Sequence, residues 1–250
     1  MARQRSIVKL EGTIGDLTFY KTKDGYIAKE KSSVSADRIR KDPAFQRTRE
    51  NGAEFGRAGK AGKVLRSSIR QLLQNVADSR IVSRLTKEMV KVIQMDETNP
   101  RGLRNVIDGE AELLTGFDFN LNAQLGNSLY APWEWTLDRA TGDAGITMAP
   151  FSPSSMIAAP GGTTHFKIVA AAMEIDFENE KSVTVNAETA VLAWNTTQTA
   201  PVNLALQLPA DSTHPLFLVL GIEFYQEVNS VQYPLRNGAY NALKIIDVQG

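Results

Sequence analysis

The sequence predicts an α+β chain: a small N-terminal β-meander, a basic helical segment, then an antiparallel β-sandwich, Ig-like or jelly-roll-like. Three observations carry this. Short alternating runs separated by turn residues fill positions 5–31. Apolar positions at helical spacing follow between 43 and 95. After Gly116, strand-like runs punctuated by Pro, Gly, Asn and Ser take over. The expected divisions are therefore 1–31, 32–115 and 116–250.

In the meander, SIVKLEG and DLTFYKT are short strand candidates, and KTKDGYIAKEK reads as a hairpin turning at Asp24-Gly25. Positions 32–41 are polar and basic without periodicity and read as a linker. Asp42-Pro43 is a helix start: the carboxylate caps free N–H groups and proline suits the first helical position. Helix is expected from 43 to about 75, broken once near the glycines. Asp78 or Ser79 then opens a second helix with Ile81, Val82, Leu85, Met89, Val90 and Ile93 on one face. A shorter helix is expected over 103–114. Beyond it, Phe117, Phe119 and Leu121 alternate with polar residues, and seven or eight strands are expected in all. Asn229-Ser230 and Asn237-Gly238 read as turns between the closing strands.

The chain has 250 residues, 42% of them hydrophobic and 22% charged, which suits one sizeable core or two modest ones. No apolar run is long enough to span a membrane. The N-terminus lacks the apolar stretch of a secretory signal, so synthesis in the cytoplasm is expected, with a released particle or another export route left open. There is no cysteine, hence no disulfide, thiol nucleophile or thiolate metal site. A net charge of zero conceals a split: positions 1–104 carry 23 basic and 12 acidic residues, and positions 105–250 carry 5 and 16. Such halves attract each other within one chain or between copies.

The stretch NGAEFGRAGKAGKVLRSSIRQLL at 51–73 invites a phosphate-loop reading and fails it. Gly62-Lys63 is followed by Val64 rather than Ser or Thr, Arg57 stands where the first glycine belongs, and no buried strand precedes it. On a helix, Gly52, Gly56, Gly59 and Gly62 form one stripe. Each costs about 1 kcal/mol relative to alanine. Close approach of another helix, strand or subunit would offset that; a loop in which glycine merely permits turns is the alternative. Lys60, Lys63, Arg66 and Arg70 share a helical face, which fits a solvated or intramolecular ion-paired surface, a contact between subunits, or sequence-independent nucleic-acid binding.

No catalytic, cofactor-binding or metal-ligating constellation is present. His165 and His214 stand alone, and no nucleophile elbow or zinc-protease motif occurs. Glu174, Asp176, Glu178 and Glu180 alternate and would share one strand face: a solvated acidic surface, a cation site, or an electrostatic partner for the basic helix of another copy. Trp133 and Trp135 alternate too, as core or interface anchors or as a sugar platform.

KLEGTIGDLTFYKTKDGYIAKEK, DPAFQRTRENGAEFGRAGKAGKVLR and FYQEVNSVQYPLRNGAYNAL resemble a family of uncharacterised proteins common in Bacteroidota. The resemblance covers both ends and most of the helical region, not positions 120–215. It implies a bacterial or bacteriophage context and carries over no catalytic residue. The function expected from the residues is a non-enzymatic structural subunit, needing no cofactor, that assembles with itself into a filament, tube or particle. A glycan- or protein-binding sandwich at the cell surface is the alternative, and a nucleic-acid-associated structural protein the second.

Overall fold

The computed structural model describes residues 1–5, 7–31 and 34–250. Ser6 of the SIVKLEG strand candidate, and Ser32 and Ser33 of the expected linker, lie outside the described residues. The chain divides into two units, Met1–Asn51 and Gly52–Gly250, rather than at 31/32 and 115/116.

The first unit is a four-stranded antiparallel sheet followed by helix. Strands β1 (Ala2–Arg3), β2 (Gly12–Ile14), β3 (Leu17–Thr22) and β4 (Gly25–Glu30) lie in the order β1-β4-β3-β2. The hairpin at Asp24-Gly25 is present: Thr22 faces Gly25, whose φ of +115° favours glycine. Of the described residues of SIVKLEG, 7–11 are not in a strand and Gly12 opens β2. The Gln4 side chain donates to the carbonyls of Leu10 and Ile27 and accepts from the Leu10 N–H. The expected linker contains a helix, α1 (Ala36–Lys41). End chemistry rather than periodicity makes it: Ser35 caps the Arg38 N–H, Asp37 sits in the first turn and basic residues fill the last. Asp42 caps a 3-10 turn, Pro43–Phe45, through Ala44 N–H at 2.9 Å, and α2 (Gln46–Ser68) follows across the boundary between units.

In the second unit α2 runs unbroken through all four glycines. The break falls at Ile69, after the Ser68 hydroxyl takes the Leu65 carbonyl, and α3 (Arg70–Leu73) follows. Helix α4 (Ile81–Gln94) buries Leu85, Met89, Val92 and Ile93. Asp78 opens it without capping in the usual register: its carboxylate accepts from Arg80 N–H and Leu121 N–H and pairs with Arg84. The helix expected over 103–114 shrinks to a 3-10 turn, Ala111–Leu114. Side chains have taken the backbone donors upstream: buried Asp96 accepts from the N–H groups of Thr98, Asn99 and Asn105, and Asn105 accepts from those of Ile107 and Asp108.

The rest is a β-sandwich. Short α5 (Leu125–Ser128) leads to β5 (Glu134–Leu137) and β6 (Asp143–Met148); α6 (Pro153–Met156) leads to β7 (His165–Asp176), β8 (Lys181–Glu188), β9 (Leu192–Ala193), β10 (Val202–Gln207), β11 (Leu216–Val228), β12 (Val231–Pro234) and β13 (Ala242–Gln249). One antiparallel sheet is β10-β6-β5. The other runs β12-β11-β7-β8, with β13 beside β11 and β9 beside β7. Phe117, Phe119 and Leu121 form no strand; they flank a single bridge from Asp118 to Lys244. Asn229-Ser230 turns β11 into β12 with both residues at positive φ. Asn237-Gly238 also turns at positive φ, but the strands on either side of it pair with different stretches of β11, not with each other.

Strands β7 and β11 are buried on both faces. Phe166, Ile168, Leu218, Leu220 and Ile222 meet Ile146, Met148, Val202 and Leu204 of the smaller sheet. Val169, Ala171, Met173, Phe217 and Val219 share a second cluster with Ala58, Leu65, Leu85 and Met89 of the helices. The central sheet is thus covered by helices on one side and by strands on the other. Among the described residues, no helix is long and apolar enough to cross a membrane.

Candidate assembly surfaces

The N-terminal sheet pairs its strands but buries nothing. No described residue of Met1–Asn51 is buried. Its register places Ile14, Leu17, Phe19, Tyr26 and Ala28 on one face, and Arg3, Thr13, Thr18, Tyr20, Ile27 and Lys29 on the other. Lysine stems partly shield the aromatic rings, with Lys21 over Tyr26 at 5.6 Å and Lys29 over Tyr20 at 5.8 Å.

The glycine stripe exists on α2, but among the described residues only its C-terminal end meets a neighbour. A Cβ at Gly62 would lie 3.6 Å from Leu85 Cγ, an ordinary contact; at Gly52, Gly56 and Gly59 no described atom lies within 4 Å. Three of the four therefore serve no close approach among the described residues. Phe55, beside them, is 61% exposed.

The basic face is divided in use. Lys60 pairs with Glu180 at 2.7 Å, and with Lys63 nearby it holds the Glu180 carboxyl below its ordinary range. Arg66 is half-buried; burial lowers its pKa, and among the described residues its Nη1 has no hydrogen-bond partner. Arg70 lies past the break at Ile69, on α3, so it does not continue the face. Arg57 donates to the carbonyls of Gly102 and Arg104. Intramolecular contacts thus occupy Arg57 and Lys60.

The acidic run does not form the expected single strand face. Glu174 and Asp176 end β7, while Glu178 and Glu180 lie in the turn to β8. Asp176 makes that turn by accepting from Glu178 N–H and Asn179 N–H and from the Asn179 side chain. The Asn179 bonds hold its carboxyl below the usual range. Glu180 adopts φ of +56°. Among the described residues no group of three or more His, Asp or Glu is placed to hold a metal ion.

Trp133 packs half-buried against the sandwich core, and Trp135 is 47% exposed on edge strand β5. Their rings are 5.3 Å apart and tilted by 51°. Trp135 Nε1 donates to Asp247 Oδ2 at 3.2 Å, and Gln249 Nε2 donates to the Leu137 carbonyl at 2.6 Å. These bonds close the seam between β5 and β13, so the indole N–H is engaged there.

The histidines stay apart. His165 Nε2 is 3.6 Å from Glu227, and His214 Nε2 is 3.9 Å from Asp176, both beyond a hydrogen bond. Neither lines the cleft of about 380 Å³ bordered by Arg84, Lys87, Glu88, Phe117 and Asp118. There the Arg84 guanidinium is committed to Asp78 and to the Asp118 carbonyl. Burial pushes the Asp118 carboxyl up, against the opposing pull of Leu125 N–H, Lys244 and Arg84.

A buried polar network escaped the sequence reading. Glu223 on β11 accepts from Asn75 Nδ2 at 2.7 Å and from the Tyr225 hydroxyl at 2.6 Å, with Lys167 Nζ 3.6 Å away. Burial, then the Glu223 bond, pushes the Tyr225 hydroxyl up to about 12. Burial alone would lower Lys167, but Glu188 and Glu223 outweigh it and raise it. Next to this, Asn241 accepts from Phe224 N–H and donates to the Asn75 carbonyl. Gly238 lies so close that a Cβ would stand 2.1 Å from that carbonyl. The network ties the end of the helical segment to the gap in β11 between its β12 and β13 pairings. Its one sequence signal was Glu223 and Tyr225, two apart, where the apolar first part of β11 gives way to its polar end.

No protein-family model and no curated protein matches the chain. A solved structure, the human F-spondin reeler domain (fragment 1), aligns with 50% of this chain and 97% of its own at 11% identity. Its TM-score is 0.18, a likeness too slight to carry an argument.

Proposed function

We propose that the chain is a non-enzymatic structural subunit that assembles with itself, the basic N-terminal part of one copy meeting an acidic surface of the C-terminal part of another. The observation that carries this reading is the unburied N-terminal sheet. A small sheet gains independent stability from a hydrophobic face or from packing against a helix. Here no described residue of the sheet is buried on either face. A second copy covers one of those faces in this reading.

The charge split supports a contact between unlike surfaces. Such a contact propagates into a filament or tube wherever its rotation does not close a ring. The bacterial or bacteriophage setting implied by the three sequence motifs belongs to the same proposal. The test is light scattering and negative-stain electron microscopy of the full chain at low and high salt. Regular polymers that weaken with salt are expected; a monomer at high concentration in both conditions would overturn the reading.

A further inference from the structure

Resting on that reading, we infer which surface receives the N-terminal unit: the outer face of the three-stranded sheet β10-β6-β5 of a second copy. Two acidic surfaces compete for this role, and cover within the chain separates them. The central sheet has helices on one face and strands on the other; there Glu180 is paired with Lys60, and Glu188 and Glu223 face Lys167, while Glu174 and Glu178, at the end of β7 and in the turn after it, have no ion-pair partner among the described residues. On and beside the smaller sheet, Glu134, Asp138, Asp143 and Asp211 are exposed, and among the described residues none of them has an ion-pair partner.

The register puts Glu134, Thr136, Asp143, Gly145, Thr147, Asn203, Ala205 and Gln207 on the outer face, since Ile146, Met148, Val202 and Leu204 point into the core. That face carries acidic, small and neutral polar residues and no basic one. Short side chains leave it level enough for another sheet to approach to about 10 Å.

The complementary face on the N-terminal sheet is the one with Arg3 and Lys29, which carries no acidic residue. The unit holding it has 12 basic residues against 7 acidic ones. The opposite face, with Ile14, Leu17 and Phe19, gains little from an acidic polar partner and is not the one that docks here. Strand spacing and rise give a contact of roughly 300 Å² on each side. That is well below the roughly 800 Å² per partner of a stable pair. A single contact is therefore weak and salt-sensitive, and order comes from repetition along an assembly.

The test reverses charges in the full chain. Glu134→Lys with Asp143→Lys should abolish salt-sensitive assembly while leaving the circular dichroism and thermal unfolding of the monomer unchanged. Adding this variant to Arg3→Glu, Lys29→Glu chains should restore mixed assembly. Glu174→Lys with Glu178→Lys should assemble as the wild type does. Because the chain has no cysteine, Lys29→Cys and Asp143→Cys chains can also be mixed, and a disulfide-linked heterodimer is expected. If the wild type assembles but the Glu134, Asp143 variant assembles equally well, or no mixed disulfide forms, the receiving surface is wrong and self-assembly stands. If the wild type never assembles, the broader reading falls with it.

Discussion

The two units organise similar secondary structure in opposite ways. In Gly52–Gly250, β7 and β11 are apolar on both faces because helices cover one side and strands the other. In Met1–Asn51, four strands pair correctly and bury no described residue. Hydrogen bonding makes a sheet in both places, but only burial makes a core, because the net worth of each hydrogen bond is about 1 kcal/mol while a buried leucine or phenylalanine contributes about 1.5–3 kcal/mol. Stability therefore belongs to the second unit, and the first contributes an unburied surface, which the proposed function assigns to contact with another copy.

The sharpest way to break this comparison is a pair of truncations. Phe217→Ala, in the fully buried layer between helices and sheet, should cost about 3–5 kcal/mol in urea unfolding. Leu17→Ala, on the N-terminal sheet, should change it by less than about 0.5 kcal/mol. Similar losses at both positions would mean that the first unit contributes a core of its own.

Asn241→Ala comes next in size. It leaves the Phe224 N–H and the Asn75 carbonyl without partners, a loss of about 1–3 kcal/mol. Denaturant unfolding measures it, and amide exchange should open first at Asn75 and Phe224.

Acid acts on the second unit through Asp96. Burial would raise its carboxyl, but the N–H groups of Asn99, Asn105 and Thr98 and the Asn99 side chain outweigh burial and hold it low. The unfolded chain therefore binds this proton at higher pH than the folded one. The stability that Asp96 contributes is complete above the ordinary aspartate range and is lost as pH falls through its depressed folded value. Asp96→Asn should flatten that part of a stability-versus-pH curve.

The glycine stripe offers the finest distinction. Gly56→Ala and Gly59→Ala have open space for the added methyl and should each stabilise the monomer by up to about 1 kcal/mol. A simultaneous loss of assembly would place the stripe in a contact between copies; unchanged assembly would leave it solvated.

What could be read from the residues depended on how local the cause was. The Asp24-Gly25 and Asn229-Ser230 turns, the Asp42 cap and the Leu85, Met89 and Ile93 part of the α4 face are set within a few residues and were legible, whereas Val82, expected on that face, is 52% exposed and Val92 is buried in its stead. The helix Ala36–Lys41 was missed because capping, not periodicity, makes it, and the helix over 103–114 was overcalled because Asp96 and Asn105 take the backbone donors. The continuous apolar runs of β7 and β11 signalled burial on both faces, yet nothing local said that helices formed the second cover. For the candidate surfaces, sequence spacing grouped Glu174 with Glu180 and Lys60 with Arg70. Folding separates both groups with a turn or a break, and spends Glu180 on Lys60.

The most direct test of the central claim is sedimentation velocity of the full chain over a wide concentration range at low and high salt. The account predicts a monomer in high salt and, in low salt, heavier species that grow with concentration without a fixed stoichiometry. A single monomeric boundary under every condition would contradict it.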